Sequence, residues 1–138
     1  MKKLFSYVGL ALMMVLTTGV LTAAAPTPDV TINVIRGLPS TMNVGDTYTV
    51  EVEVVSDVPF ISVQAMPDLQ YPGKGVVAVK GGDHAGMGTT ATVEVTFTAK
   101  TDTSKMPDGK DLVTVVVGAR YKGGVVLSER FDFAVTVP

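Results

Sequence analysis

The side chains best suited to chemistry lie in the Gly-rich segment 81–88, where His84 and Met87 are three residues apart. Imidazole and thioether groups suit Cu(I), and Met66 is a third possible ligand. His84 is the single histidine and the chain has no cysteine, which excludes thiolate sites, disulfides and any site that needs two imidazoles. Two interpretations remain open, a weak copper site and a solvated loop between strands, and the small number of ligands favours the loop.

Three aspartates, Asp102, Asp108 and Asp111, fall close together in a second polar segment. Carboxylates on a bend can bind Ca²⁺, but the ligand spacing of an EF-hand is absent and Asp108-Gly109 is an ordinary turn pair. We therefore expect these residues to form a turn and to aid solubility, with calcium binding as the alternative.

Enzymatic chemistry has little support in the sequence. Glu51, Glu53 and Glu94 fall at outward positions of predicted strands, whereas carboxylate catalysis needs two groups converging in a pocket. No serine lies in a nucleophile motif, and the Gly-rich segment lacks the lysine and the following helix of a phosphate loop. We expect a protein without catalytic activity and without a cofactor.

Two further sets of side chains are candidates for an outward position. Aromatic residues there would bind a sugar or a protein partner, and the candidates are Tyr71, Phe60 and Tyr121. Outward threonines would be acceptors for O-linked sugars, although threonine is also common in strands because its β-branched side chain suits a pleated surface. These threonines are Thr90, Thr92, Thr96 and Thr98.

Length and charge limit the classes of protein. The chain has 138 residues, the size of one ordinary domain. Its formal net charge is −2, so it lacks the basic character of a protein that binds nucleic acid.

The first 25 residues have the composition of an export signal. Lys2 and Lys3 precede an apolar run over residues 4–21, and small residues follow up to Ala25. This arrangement predicts a helical signal peptide over residues 1–24 and a short linker over 25–28. The alternative is a retained anchor, because 18 apolar residues are just long enough to span a bilayer.

The remainder alternates apolar and polar residues with the period of two that is typical of strands with one buried face. Punctuation by Gly, Pro and Asp separates seven predicted strands. They cover residues 30–35, 48–54, 60–66, 76–80, 90–100, 112–121 and 125–137. Seven short alternating strands predict an all-β fold, a seven-stranded antiparallel immunoglobulin-like sandwich over residues 29–138.

Three segments resemble extracellular immunoglobulin-like modules of bacteria and archaea. Residues 43–52 (NVGDTYTVEV) resemble the opening of their second strand, and residues 88–98 (GTTATVEVTFT) resemble their fifth. Residues 107–109 (PDG) are similar to the turn that precedes a long Val-rich strand. The sequence is most similar to the cell-adhesion-related domain of bacteria and to the domain appended to alpha-galactosidases. This resemblance implies a secreted or surface-exposed accessory module without catalysis.

These observations predict a secreted, periplasmic or cell-surface module that works by contact with a protein or with another component of the cell envelope. Self-assembly through the strand over residues 30–35 is a further hypothesis, since an edge strand can pair with another chain. The alternatives are an extracytoplasmic domain anchored by an uncleaved leader, with membrane contact only in that case, and a periplasmic copper carrier.

Overall fold

The computed structural model of the chain describes residues 27–68 and 75–138. The predicted signal segment 1–24, and residues 25 and 26 of the predicted linker, lie outside the described residues. Seven strands are present: β1 (Val30–Arg36), β2 (Thr47–Pro67), β3 (Val76–Lys80), β4 (Asp83–Ala85), β5 (Gly88–Ala99), β6 (Asp111–Tyr121) and β7 (Val126–Val135). A 3₁₀ turn at Pro107–Gly109 precedes β6. The all-β prediction is confirmed, and within the described ranges no helix is long and apolar enough to cross a membrane.

β2 is the central strand of the fold. The strand order is β3-β5-β2-β6-β7, and β1 and β4 also pair with β2, so that the seven strands form one open antiparallel sheet. Four other strands therefore depend on β2 for their backbone hydrogen bonds.

The length of β2 differs from the prediction. Residues 48–54 and 60–66 were expected to be two strands ended by Asp57 and Pro59, but they are one strand of 21 residues. The first half of β2 pairs with β1 and β5, and the second half pairs with β4 and β6. Pro59 is tolerated because it lies where the register with β5 shifts, between Val55 and Phe60, and a bulge does not need a ladder donor at every residue.

Contacts near the two ends of β2 require the strand to bend. A straight strand of that length would extend about 69 Å. Val76, beside the β5 residues that pair with the start of β2, donates its backbone N–H to Asp111 Oδ2 at 2.9 Å. Asp111 begins β6, whose Val115 pairs with the last residue of β2, Pro67. The two ends of β2 therefore lie much closer together than the length of a straight strand. The strand changes direction in the region 56–60.

Alternation along the strands builds the core as the sequence predicts. The inward rows of β2, β5 and β6 are buried, while the residues between them are half-buried or exposed, apart from the buried Thr114 of β6. These rows are Val50, Val52 and Val54; Val93, Val95 and Phe97; and Val113, Val115 and Val117. β-Branched side chains suit this arrangement, since their preferred rotamers pack well on a pleated surface.

Two local features depart from the sequence pattern. Strict alternation along residues 60–66 would place Ile61 on the same face as Val63 and Ala65, but it is 42% exposed because the register against β6 shifts between Phe60 and Ser62. The Gly-rich segment was expected to be a loop, yet its residues Asp83–Ala85 pair with the second half of β2 as β4.

A chain of buried hydrogen bonds stabilises the bend of β2. The Tyr121 hydroxyl at the end of β6 donates to Ser56 Oγ at 2.8 Å, and Ser56 Oγ donates to the Val58 carbonyl at 2.7 Å. The Val58 N–H in turn donates to Ser56 Oγ at 3.3 Å. Because both side chains are buried, the Tyr121 hydroxyl depends on Ser56 Oγ for its acceptor, whereas Ser56 Oγ is also bonded to the backbone of Val58.

We predict that Ser56→Ala destabilises the protein more than Tyr121→Phe does. The alanine leaves the Tyr121 hydroxyl buried and without its acceptor, at a cost of about 1–3 kcal/mol, whereas the phenylalanine removes the donor and costs about 1 kcal/mol. Urea denaturation gives both free energies of unfolding, with the exposed Ser128→Ala as the matched control. Equal free energies of unfolding for Ser56→Ala and Ser128→Ala would show that the bond between Tyr121 and Ser56 does not stabilise the bend.

Candidate contact surface

Four segments of the chain meet at the bend of β2. β5 begins at Gly88 opposite Phe60, and β6 ends at Tyr121 opposite the same residue. The hairpin between β6 and β7 closes there, with the Tyr121 N–H donating to the Val125 carbonyl at 2.9 Å. The start of β1 also lies there, because Val30 pairs with Ser56. One end of the molecule is therefore built from the bend, two connections between strands and the entry of the chain.

That end carries exposed aliphatic side chains. Six of the twelve large apolar side chains found exposed in the described residues belong to it, with exposures from 37% to 81%. We call this set the bend surface: Val55, Val58, Ile61, Met87, Val125 and Val126. Met87 and Val125 lie in connections between strands, and the other four lie in β2 and at the start of β7. Exposed apolar patches commonly mark sites of interaction.

Local backbone geometry explains how the tips are presented. Gly123 and Gly124 have φ values of 95° and 84°, so the hairpin turns tightly in a conformation that other residues rarely adopt, and Val125 directly follows this turn, opposite Tyr121. Val58 is held outward because the bond from its N–H to Ser56 Oγ fixes the turn.

Charged groups surround the bend surface unevenly. The Asp57 carboxylate accepts the Asp29 N–H at 2.8 Å, so this anion is engaged at the chain entry. Arg120 and Lys122 are exposed beside the hairpin, and Arg120 pairs with Val126 of the bend surface. Cations thus lie on the side of the bend surface that carries Val125 and Val126.

The candidate copper ligands are only partly brought together. His84 lies opposite Gln64, so it shares an outer face with Met66, two residues further along β2. Met87 lies in the connection between β4 and β5, outside the strand that carries His84. It is 81% exposed and belongs to the bend surface. In the described part of the chain no group of three or more His, Cys, Asp or Glu residues is arranged to hold a metal ion.

The candidate calcium ligands have separate roles. Asp111 is buried and its Oδ2 accepts the Val76 N–H, while Asp108 lies in the 3₁₀ turn with φ 56°. Asp102 is exposed and accepts hydrogen bonds from the Ser104 hydroxyl and the Ser104 N–H, which together lower the pKa of its carboxyl. Asp102 and Asp111 therefore serve turn and strand geometry.

The three glutamates lie on one outer face, as predicted. Glu51 pairs directly with Glu94 across β2 and β5, and Arg36 Nη2 lies 3.6 Å from Glu51 Oε2. Glu53 pairs with Asn33 on one side and Thr92 on the other. This pleated face brings two like charges together without a cleft around them.

The prediction that three aromatic side chains face outward is wrong for two of them. Phe60 and Tyr121 are 1% and 2% exposed, because they fill the inside of the bend opposite each other, and Tyr71 lies outside the described residues. The threonines do face outward, although two of them are half-buried and bond across the sheet. The bonded pairs are Thr47 with Thr98 and Thr49 with Thr96, each at 2.9 Å between hydroxyl oxygens.

The edge strands are less available for pairing with another chain than strand exchange would require. β1, the proposed strand for exchange, pairs with β2 of its own chain and has a register irregularity between Val34 and Arg36. Near the end of β7, Thr136 bridges to Thr41, and the middle of the strand carries the exposed charges of Glu129 and Arg130. Bulges and charged side chains on edge strands discourage pairing with another strand.

An open groove of about 520 Å³ lies away from the bend, near the start of β6. Met106, Pro107, Leu112 and Ala134 give it a largely apolar lining, with Asp108 and Lys110 at its margin. This groove is a second surface to which small apolar groups could bind.

Sequence reasoning missed the bend surface as a unit. Val58 stands between Asp57 and Pro59, and Val125 follows two glycines, so apolar residues inside turn signals were the available clue. Their convergence depends on the pairing of distant strands with the middle of β2. Comparison of the sequence with models of protein families and with curated proteins finds no match.

We predict that Glu94→Gln stabilises the protein by about 0.5 kcal/mol, because it removes a like charge directly opposite Glu51. The gain should shrink at high salt, which screens the repulsion between exposed charges. Urea denaturation measures it, with Glu129→Gln as the control, since Glu129 pairs with Val117. A loss of stability in Glu94→Gln would show that the two carboxylates are not repelling each other.

Proposed function

We propose that the chain folds as an immunoglobulin-like sandwich. The pairing supports two layers: β3, β5, the first half of β2 and β1 in one, and the second half of β2 with β4, β6 and β7 in the other. The bend of β2 lets one strand serve both layers, and its buried rows face a single core. The parallel bridge between Thr41 and Thr136 joins the segment after β1 to the last strand.

The proposed function is that of a secreted or surface-associated, non-enzymatic module of the cell envelope that works by contact. The observation that carries this proposal is the bend surface, a group of exposed aliphatic side chains at the bend of β2 and in the connections beside it. The export-type composition of residues 1–25 supports a location outside the cytoplasm. The resemblance of residues 43–52 and 88–98 to extracellular modules agrees with a function by contact and with a location outside the cytoplasm.

The bend surface is a better candidate for contact than the strand edges. This surface can bind without breaking any backbone hydrogen bond of the module. Exchange of β1 would require the loss of its pairing with β2 and of the half-buried or buried side chains Val30 and Ile32. Self-assembly by β1 therefore has the larger cost.

Crosslinking from a single position tests this function, and the absence of native cysteines makes the label unique. We expect Met87→Cys carrying a photoreactive benzophenone to form adducts with an envelope component in the cells that make the protein. The matched control is Val44→Cys, which is 56% exposed in the turn before β2, away from the bend.

Adducts at position 87 that fall at least about fivefold when Val58 and Val125 are both changed to Asp would support contact through the whole bend surface. Equal yields from positions 87 and 44, or no adduct from either, would contradict the proposed function.

A further inference from the structure

The chain enters the fold at the bend surface. The Asp29 N–H donates to Asp57 Oδ1 at 2.8 Å, and the Asp57 N–H donates to the Asp29 carbonyl at 3.1 Å. This reciprocal pair joins the residues before β1 to the bend of β2. The preceding segment therefore joins the described domain at the end that carries the bend surface.

The preceding segment has the sequence of a membrane-inserting element. The apolar run over residues 4–21 ends eight residues before Asp29. Eight Cα–Cα steps extend at most about 28 Å. While that run lies in a bilayer, during export or as a retained anchor, Asp29 is therefore held within that distance of the membrane, and its bonds to Asp57 keep the bend nearby.

The composition of the bend surface suits lipid better than protein. Its six side chains are Val, Ile and Met, without the Trp, Tyr and Arg that dominate binding energy at protein interfaces. Aliphatic tips beside cations are the chemistry that enters the boundary between headgroups and acyl chains. Arg120 and Lys122, exposed next to Val126 and Val125, supply those cations, which anionic headgroups attract.

We propose that the bend surface is a membrane-contact surface that rests on the anionic face of the bilayer into which the leader inserts. Val58, Met87 and Val125 enter the headgroup boundary, and Arg120 and Lys122 meet phosphate groups. This inference rests on the proposed function, because it names lipid as the partner of the same contact surface.

Fluorescence of the full chain in vesicles tests the inference. The full chain, leader included, is reconstituted in vesicles of phosphatidylcholine and phosphatidylglycerol, with an environment-sensitive fluorophore on Met87→Cys or on Val44→Cys. Lipids with a nitroxide near the headgroup then quench any label at the boundary. We expect quenching at position 87 to exceed that at position 44 at least about fivefold, since apolar tips partition into this region.

Two further measurements make the result specific. The double change Val58→Asp and Val125→Asp, in the chain labelled at position 87, should abolish most of the quenching while the leader still tethers the protein. Replacing phosphatidylglycerol with phosphatidylcholine should weaken it, because the attraction of Arg120 and Lys122 is lost.

Equal quenching at positions 87 and 44 would overturn the membrane inference, as would quenching that survives the double aspartate change. If the label at 87 stays in water on vesicles while the crosslinker at 87 forms protein adducts in cells, the inference is wrong and the proposed function stands. If both experiments are negative, both are wrong.

Discussion

The bend of β2 is the constraint on which the rest of the structure depends. A strand of 21 residues offers its backbone to four partners, but only because its direction changes between Val55 and Phe60. The buried bond from Tyr121 to Ser56 and the partly buried bond from Ser56 to the Val58 carbonyl stabilise this change of direction. Without it the Val76 N–H and the Asp111 carboxylate would not meet, and the inward valine rows would lack a common core.

The same bend creates the candidate site. Segments that are distant in sequence converge because β1, β5 and β6 each pair with the middle of β2, and the hairpin that carries Val125 follows β6. Phe60 and Tyr121 fill the inside of the bend, so the aliphatic residues between and beside them are left outside. The exposed cluster is thus a consequence of how the core is closed at this end, and it coincides with the entry of the chain.

The predictable part of the fold is the part governed by local periodicity. Alternation along β5 and β6 predicted both strands and their buried rows, since side chains of a strand point to opposite faces in turn. Pro59 predicted a break where the structure has a bulge, because the sequence does not say whether the partner strand continues past a proline. The bend surface had no local signal, as the segments of Val58 and Met87 are brought to the same end of the sheet only by the pairing of Phe60 with Gly88.

The distance between the two ends of β2 tests the account most directly. The chain has no cysteine, so Thr47→Cys and Met66→Cys give a single pair of spin labels at exposed positions. Pulsed electron paramagnetic resonance should give a separation below about 35 Å if β2 folds back on itself, against about 63 Å for a straight strand over those residues. A distribution centred near the longer distance would contradict the bend, and with it the core and the contact surface that depend on it.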